Sequence, residues 1–289
     1  MQNISQRPAT ASGTFTIGGD LTVYRLGFGA MRITGEGVWG PPKNKQESIA
    51  VLRRALDLGV NFIDTADSYG PNVSEELIAE ALYPYPQGLV ITTKGGLLRP
   101  GPGIWDRDGR PEQLRNALEG SLRRLRVERI DIYQYHRVDP NVPLEDSMSE
   151  LARLQQEGKI HHVAISNVDA DQLAQARKIV PIVTVQNRYN LADHESEQMV
   201  DICERENIGF IPWAPLGGPS GGGSPTSNDA LSQIAKRHNA TPHQIVIAWL
   251  LKRSKVMLPI PGTASLKHLE ENVASAPIQL SDEEFNSLR

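Results

Sequence analysis

The sequence predicts an α/β protein, a (β/α)8 TIM barrel preceded by an N-terminal β-hairpin, and three observations carry that expectation. Strand-like and helix-like patterns alternate about eight times along 289 residues without a break in composition. Strict alternation implies parallel strands with helices outside, and closure at about eight units is the barrel solution. The length also fits, since single barrels of this type reach roughly 250 residues. The rival, an open doubly wound sheet, lacks its mark: Gly27-Phe28-Gly29 has neither the third glycine nor the following helix of a dinucleotide-binding turn. Residues 1–289 therefore read as one barrel domain, with residues 1–12 a flexible start.

In chain order, GTFTIGGDLTVYRLG alternates threonine with apolar residues around Gly18-Gly19-Asp20, a hairpin signature. Residues 25–30 follow as a strand. Residues 45–58 are predicted helical because Ile49, Leu52, Ala55 and Leu56 share a face and Gly59 supplies a stop. Next come a strand at 61–66, a helix at 74–82 and a strand at 88–94. Pro111–Leu125 is a helix opened by proline at its first position. A strand at 129–136 precedes a helix at 143–156, which Gly158 ends. Strands Ile160–Ser166 and 183–187 bracket a helix at 169–179, and 194–206 is helical. The last two strands, 208–213 and 256–261, enclose helices 228–238 and Pro242–Arg253, and a final helix starts near Ser281. Two connections are long, 95–109 and 216–227. Both follow strands, which places them on the face where barrel enzymes carry their sites.

Composition excludes several classes. Net charge is −4 with no long run of one sign, so no nucleic-acid or membrane-surface footprint is present. Cys203 is the only cysteine, which excludes an internal disulfide and a multi-thiolate zinc site. MQNISQRPATASG lacks the apolar core of a secretory signal, and the longest apolar run, 245–251, is too short to span a membrane. A cytoplasmic enzyme is expected; the sequence sets no oligomeric state. No metal site is expected either: His161 and His162 are read as pointing to opposite faces of a strand, and His194 lacks the H-E-x-x-H spacing. The glycines at 221–223 lack a P-loop ending, and Arg123-Arg124 reads as a solvated helix face.

Polar residues recur at the predicted strand ends: Asp64 with Tyr69 beyond it, then Lys94, His136, Ser166 with Asn167, and Gln186. Together they form a complete set for carbonyl reduction. Hydride addition leaves an alkoxide that needs a proton, and a free tyrosine is a poor acid at neutral pH. Lys94 beside Tyr69 would favour the phenolate and lower its pKa, Asp64 would hold Lys94 charged, and His136 would hydrogen-bond the carbonyl oxygen.

The motifs GVNFIDTADSYG, ITTKGG, IDIYQYHRVD, VAISN and VQNRYN occur in that order, and with them the chain resembles the aldo-keto reductase family, notably its bacterial pyridoxal-reductase-like subgroup. The resemblance implies NADPH-dependent reduction of aldehydes or ketones, with Tyr69 as general acid, Lys94 and Asp64 tuning it and His136 orienting substrate. It implies that Ser166, Asn167 and Gln186 bind the nicotinamide carboxamide and that Trp213 stacks under the ring. It also places Ala214, Pro215, Leu216, Gly217 and Gly218 along the cofactor, the last three at the pyrophosphate.

IPGTASLKHLEEN is similar to the family's adenosine-phosphate segment, with departures: Gly262 and His268 stand where familiar members have lysine and arginine. Thr263, Ser265 and His268, with a helix N-terminus, remain for a phosphate, and Glu271 and Asn272 for the adenine. NADPH is the expected cofactor and NADH the alternative. Met31, Trp39, Trp105 and Arg137 are the expected contacts of a small-molecule carbonyl substrate. The short stretch after the last helix implies an open pocket for bulky aldehydes, pyridoxal among them. Two other classes compete: a nicotinamide-sensing regulatory subunit resembling potassium-channel β subunits, and a barrel hydrolase or isomerase, for which Asp64 alone supplies too few carboxylates.

Overall fold

A computed structural model of the chain describes residues 7–217 and 229–288. The chain begins with a 3-10 turn at Pro8–Ser12. This corrects the expected flexible start for residues 7–12: Ala9 is buried and its N–H donates to the Leu58 carbonyl, while the Ser12 hydroxyl accepts from the Leu26 N–H. Strands β1 (Thr14–Ile17) and β2 (Leu21–Tyr24) then pair antiparallel, with Ile17 opposite Leu21. Gly18 and Gly19, at φ 65° and 91°, make the left-handed turn between them, a conformation glycine enters without a Cβ clash.

The barrel strands follow. β3 (Phe28–Gly29), β4 (Phe62–Asp64) and β5 (Val90–Gly95) come first. A small antiparallel ribbon, β6 (Leu97–Leu98) with β7 (Asp106–Arg107), gives structure to the long connection at 95–109. Then come β8 (Ile130–Tyr135), β9 (Ile160–Ser166), β10 (Ile182–Arg188) and β11 (Gly209–Trp213). They form one parallel sheet in the order β11-β10-β9-β8-β5-β4-β3.

The expected strand at 256–261 closes the ring, though as a single bridge between Phe210 and Met257. Phe210 N–H donates to Val256 O and Leu258 N–H to Phe210 O (both 2.8 Å), and Gly27 N–H donates to Pro259 O (3.0 Å). Pro259 and Pro261 have no N–H to give, which is why this wall does not become a regular strand. The strand expected at 25–30 is likewise reduced to two residues.

Helices cover the outside: α1 (Lys45–Asp57), α2 (Val73–Leu82), α3 (Pro111–Leu125), α4 (Leu144–Gln156), α5 (Ala170–Arg177), α6 (Glu197–Glu206), α7 (Asp229–Arg237), α8 (Pro242–Arg253), α9 (Leu266–Val273) and α10 (Asp282–Ser287). Several starts are written in the sequence as capping residues. Asn44 accepts from the Glu47 N–H, and Asp169/Gln172, Thr241/Gln244 and Ser281/Glu284 form reciprocal capping boxes.

Two expectations need correction here. His194 precedes α6 rather than opening it, and its ring packs against those of Tyr189 and Trp249, with centroids 5.5 and 5.4 Å away. Arg124 is not solvated: its Nε donates at 2.6 Å to Glu75, a fully buried carboxylate that also accepts from Thr93 Oγ1. A buried carboxylate needs such partners, and this one ties α2 to α3 and β5. Among the described residues no helix is long and apolar enough to cross a membrane.

Candidate active site

The parallel register sets the rim. Asp64 is the last residue of β4 and pairs with Thr92 of β5; Lys94 of β5 pairs with Gln134 of β8; Gln186 of β10 pairs with Ser166 of β9. His136 continues the β8 ladder, its N–H donating to Gly95 O at 2.9 Å. All these side chains therefore come to the carboxyl end of the barrel.

Lys94 Nζ is the hub. It donates to Asp64 Oδ1 at 2.6 Å and to Thr65 O at 2.8 Å, and it lies 3.4 Å from the Tyr69 hydroxyl. The Tyr69 ring meets the His136 ring edge-on, with centroids 5.8 Å apart. Lys94 is fully buried, and Asp64, Tyr69 and His136 are 2%, 7% and 8% exposed. That seclusion matters, because charges interact far more strongly away from water.

Burial opposes the charge of Lys94, but Asp64 at contact distance more than offsets this, and the ammonium is held above its ordinary pKa. Tyr69 departs from expectation. Burial pushes its hydroxyl above the ordinary phenol value, and Lys94, which pulls the other way, offsets only part of that. The sequence contained the lysine but not the dryness of the pocket. Tyr69 thus keeps its proton at rest, beside a cation that would stabilise the phenolate once it forms. Burial, then the charges of Lys94 and Arg137, hold His136 well below its usual pKa, so it is neutral; its Nδ1 lies 3.3 Å from Ser68 Oγ.

Sequence reasoning missed several supporting groups. Gln134 Nε2 donates to Asp64 Oδ2 at 3.1 Å, and Gln186 Nε2 to the same oxygen at 2.8 Å. Asp64 is thereby fixed from three sides. Gln134 sits two positions before His136, so strand alternation alone puts it on the same face. Arg99 is the larger omission. Its guanidinium donates to the carbonyls of Ile104, Val38 and Ser68 at 2.9–3.1 Å and lies 3.6 Å from the Trp105 ring centroid. It thereby ties the Tyr69 loop to the loops after β3 and β5. Trp39, at 5.5 Å from the same guanidinium, joins this cluster, so two expected substrate contacts meet around an arginine.

The other expected residues line the rim in sequence order. Ser166 Oγ donates to Gln186 O at 2.8 Å. Asn167, at φ 57°, donates through Nδ2 to His136 O, and its Oδ1 accepts from Trp213 Nε1 at 3.0 Å and Arg137 at 3.3 Å. That bond fixes the half-buried indole of Trp213 at the end of β11. A cleft of about 320 Å³ opens beside Asn167, with Arg107 and Arg137 on its wall. Met31 is half-buried in the 3-10 turn after β3.

Ala214 takes φ 51° and accepts the Gly217 N–H; Pro215 is buried and Leu216 half-buried. Gly218 lies outside the described residues. Gly262 has a steric reason: a Cβ there would come within 2.4 Å of the Gly29 carbonyl oxygen, so no lysine fits without moving β3. Thr263 Oγ1 accepts the Ser265 N–H. Ser265 precedes α9 without capping it, and His268 is exposed on the first turn, so these helix N–H groups are open to an anion. A nucleotide phosphate fits that donor set. Glu271 is turned away, accepting from Thr241 Oγ1 at 2.8 Å, while Asn272 is buried behind it.

The chain is similar to known proteins both in sequence and in fold. The sequence profile described as the aldo/keto reductase family matches residues 25–289. An uncharacterized oxidoreductase of Schizosaccharomyces pombe is 50% identical over 280 residues, covering 97% of this chain and 90% of that protein. Pyridoxine 4-dehydrogenase of Escherichia coli is 43% identical over 284 residues, covering 96% and 98%. A crystal structure of an aldo/keto reductase from Klebsiella pneumoniae in complex with NADP and acetate superposes with a TM-score of 0.80 at 27% identity, covering 95% of this chain and 93% of that one.

Proposed function

The chain belongs to the aldo/keto reductase family and is a nicotinamide-dependent oxidoreductase; from that premise we propose that it reduces an aldehyde or ketone with NADPH, and that Tyr69 delivers the proton. The observation that carries this reading is Lys94 Nζ, shared between the Asp64 carboxylate and the Tyr69 hydroxyl in a largely buried site.

A bound nicotinamide would supply the hydride. The residues of the chain do the rest. Neutral His136 donates a hydrogen bond that orients the carbonyl oxygen, and that oxygen gathers negative charge as the carbon is reduced. The Tyr69 hydroxyl gives up its proton to this oxygen, and Lys94 stabilises the phenolate left behind. Asp64, gripped by Gln134 and Gln186, keeps Lys94 charged and in place. Trp213, Ser166, Asn167 and Gln186 hold the nicotinamide end, while Ala214 and Pro215 lie along the cofactor and Leu216 and Gly217 meet its pyrophosphate. Thr263, Ser265 and His268 take the 2′-phosphate in place of the lysine that Gly262 precludes, with Asn272 and Glu271 toward the adenine. Met31, Trp39, Trp105 and Arg137 receive the substrate. Pyridoxal is the specific substrate favoured, on the likeness to a pyridoxine 4-dehydrogenase.

A steady-state panel of aldehydes including pyridoxal, each run with NADPH and with NADH, tests substrate and cofactor together. Turnover with NADPH well above NADH is expected. Tyr69→Phe should lose aldehyde-dependent NADPH oxidation while nucleotide binding, read by fluorescence quenching, survives; near-native turnover in that variant would remove Tyr69 as proton donor.

A further inference from the structure

At the opposite end of the barrel, Asp20 in the β1–β2 turn faces His161 and His162 at the start of β9. Alternation along a strand governs where Cβ atoms point, not where imidazole tips arrive. At the rim of the barrel both rings bend onto one carboxylate, which overturns their reading as divergent. His161 Nε2 lies 2.7 Å from Asp20 Oδ2, and His162 Nε2 lies 2.6 Å from Asp20 Oδ1. The ring centroids are 4.2 Å apart, and the three ligand atoms all fall within 4.8 Å of one another.

We propose that Asp20, His161 and His162 form a binding site for a divalent transition cation of the zinc class, clamping the N-terminal hairpin to the foot of β9. The donors are two imidazole nitrogens and one carboxylate oxygen, a set that suits zinc and leaves a fourth position for water. Side-chain exposures of 25%, 15% and 50% for His161, His162 and Asp20 give a cation access from solvent. Metal–nitrogen bonds of about 2.0–2.1 Å in a tetrahedron separate ligand atoms by roughly 3.3 Å. The present contacts must therefore open by some tenths of an ångström, which a half-exposed aspartate on a turn can do.

Each imidazole carries its proton on Nδ1 when Nε2 binds metal. The approach is built into the turn: a Cβ on Gly18 would sit 2.4 Å from the His162 ring, so glycine there is what admits the ring. From His162 to Ser166 is roughly 13 Å along β9, so the site is separate from the rim that carries Lys94.

The test titrates chelator-stripped full-length protein with zinc chloride alone by calorimetry, and follows cobalt(II) by its visible absorption. One equivalent is expected for the native chain, with zinc affinity weaker by about tenfold or more in Asp20→Asn and in the His161→Gln/His162→Gln pair. Zinc should raise the native melting temperature clearly more than that of either variant. Circular dichroism and reductase turnover report whether each variant is folded; if the double variant is not, Asp20→Asn alone decides. Equal zinc affinity and equal thermal shift in native protein and Asp20→Asn would place the ion on other histidines and overturn the site, as would no binding at all.

Discussion

The two ends of the barrel use the same kinds of side chain to different effect. At the carboxyl end, a lysine, an aspartate, a tyrosine and a histidine are 0–8% exposed, and burial with neighbouring charge displaces the protonation of the lysine, the tyrosine and the histidine. At the amino end, an aspartate and two histidines meet at equally short distances but in contact with water. The difference teaches that proximity alone does not make chemistry. The ionisable groups at the foot of β9 hold a hairpin, whereas the dry groups above it are the ones that the proposed reaction uses to move a proton, because there desolvation magnifies every charge.

Removing the charge at the dry end should have the largest effect. Lys94→Met strands Asp64 as an uncompensated buried carboxylate, and breaking a buried pair in this way costs about 3–5 kcal/mol. Urea unfolding should show that loss, and turnover should vanish with it; a variant as stable as the native chain would mean the two ends are not so different. Arg99→Ala comes next. The guanidinium is a positioning residue with hydrogen bonds to three loop carbonyls, and losing a charged hydrogen bond costs about 1.5–3 kcal/mol. KM for aldehyde should rise more than kcat falls, since Trp105 and Trp39 lose the group they pack on while Lys94 keeps its bonds to Asp64 and Thr65.

Asp67, two residues before Tyr69, sharpens the contrast through pH. Burial, then repulsion from Glu75, push its carboxyl up to about 8, and its Oδ1 has no hydrogen-bond partner. The folded state therefore binds this proton more tightly than the unfolded chain, whose value is near 3.8. The associated stability is fully present below the unfolded value and is lost as pH rises through about 8. Asp67→Asn should melt like the native protein at acid pH and about 2–4 °C higher above pH 8, the shift that 1 kcal/mol makes in a chain of similar size. An unchanged pH profile would show the carboxyl to be ionised throughout. The smallest effect belongs to the wet end. Without metal, Asp20→Asn should cost no more than about 1 kcal/mol, the usual ceiling for exposed pairs.

Much of this could be read from the sequence, for reasons that differ by element. Pro111–Leu125 and Pro242–Arg253 were legible to the residue because proline and apolar periodicity mark them. Asp64, Tyr69, Lys94 and His136 were legible because strand ends in a barrel must share a rim. Arg99 was not: two of its three carbonyl partners lie 31 and 61 positions away in sequence, and nothing local announces those contacts, whereas Gln134 could have been placed on the His136 face by alternation, though not its bond to Asp64, 70 positions away. The direction of the Tyr69 shift was misread for a related reason. A neighbouring lysine can be seen in a sequence, but the exclusion of water from around a hydroxyl cannot. The histidine pair failed on geometry, since alternation describes a strand interior and these residues stand at its mouth.

The seam of the barrel has a kinetic corollary. Between β11 and β3 the wall is held by backbone hydrogen bonds from Phe210, Leu258 and Gly27, with prolines interrupting the ladder. Amide protons along this joint should exchange with solvent sooner than those of β8 and β9, because the least-bonded stave needs the least work to lift. Gly29 and Gly262 touch at the upper end of the same stave. Breathing of the wall would thus loosen first the end of the groove proposed for the adenosine, making one missing ladder a natural place for cofactor exchange to begin.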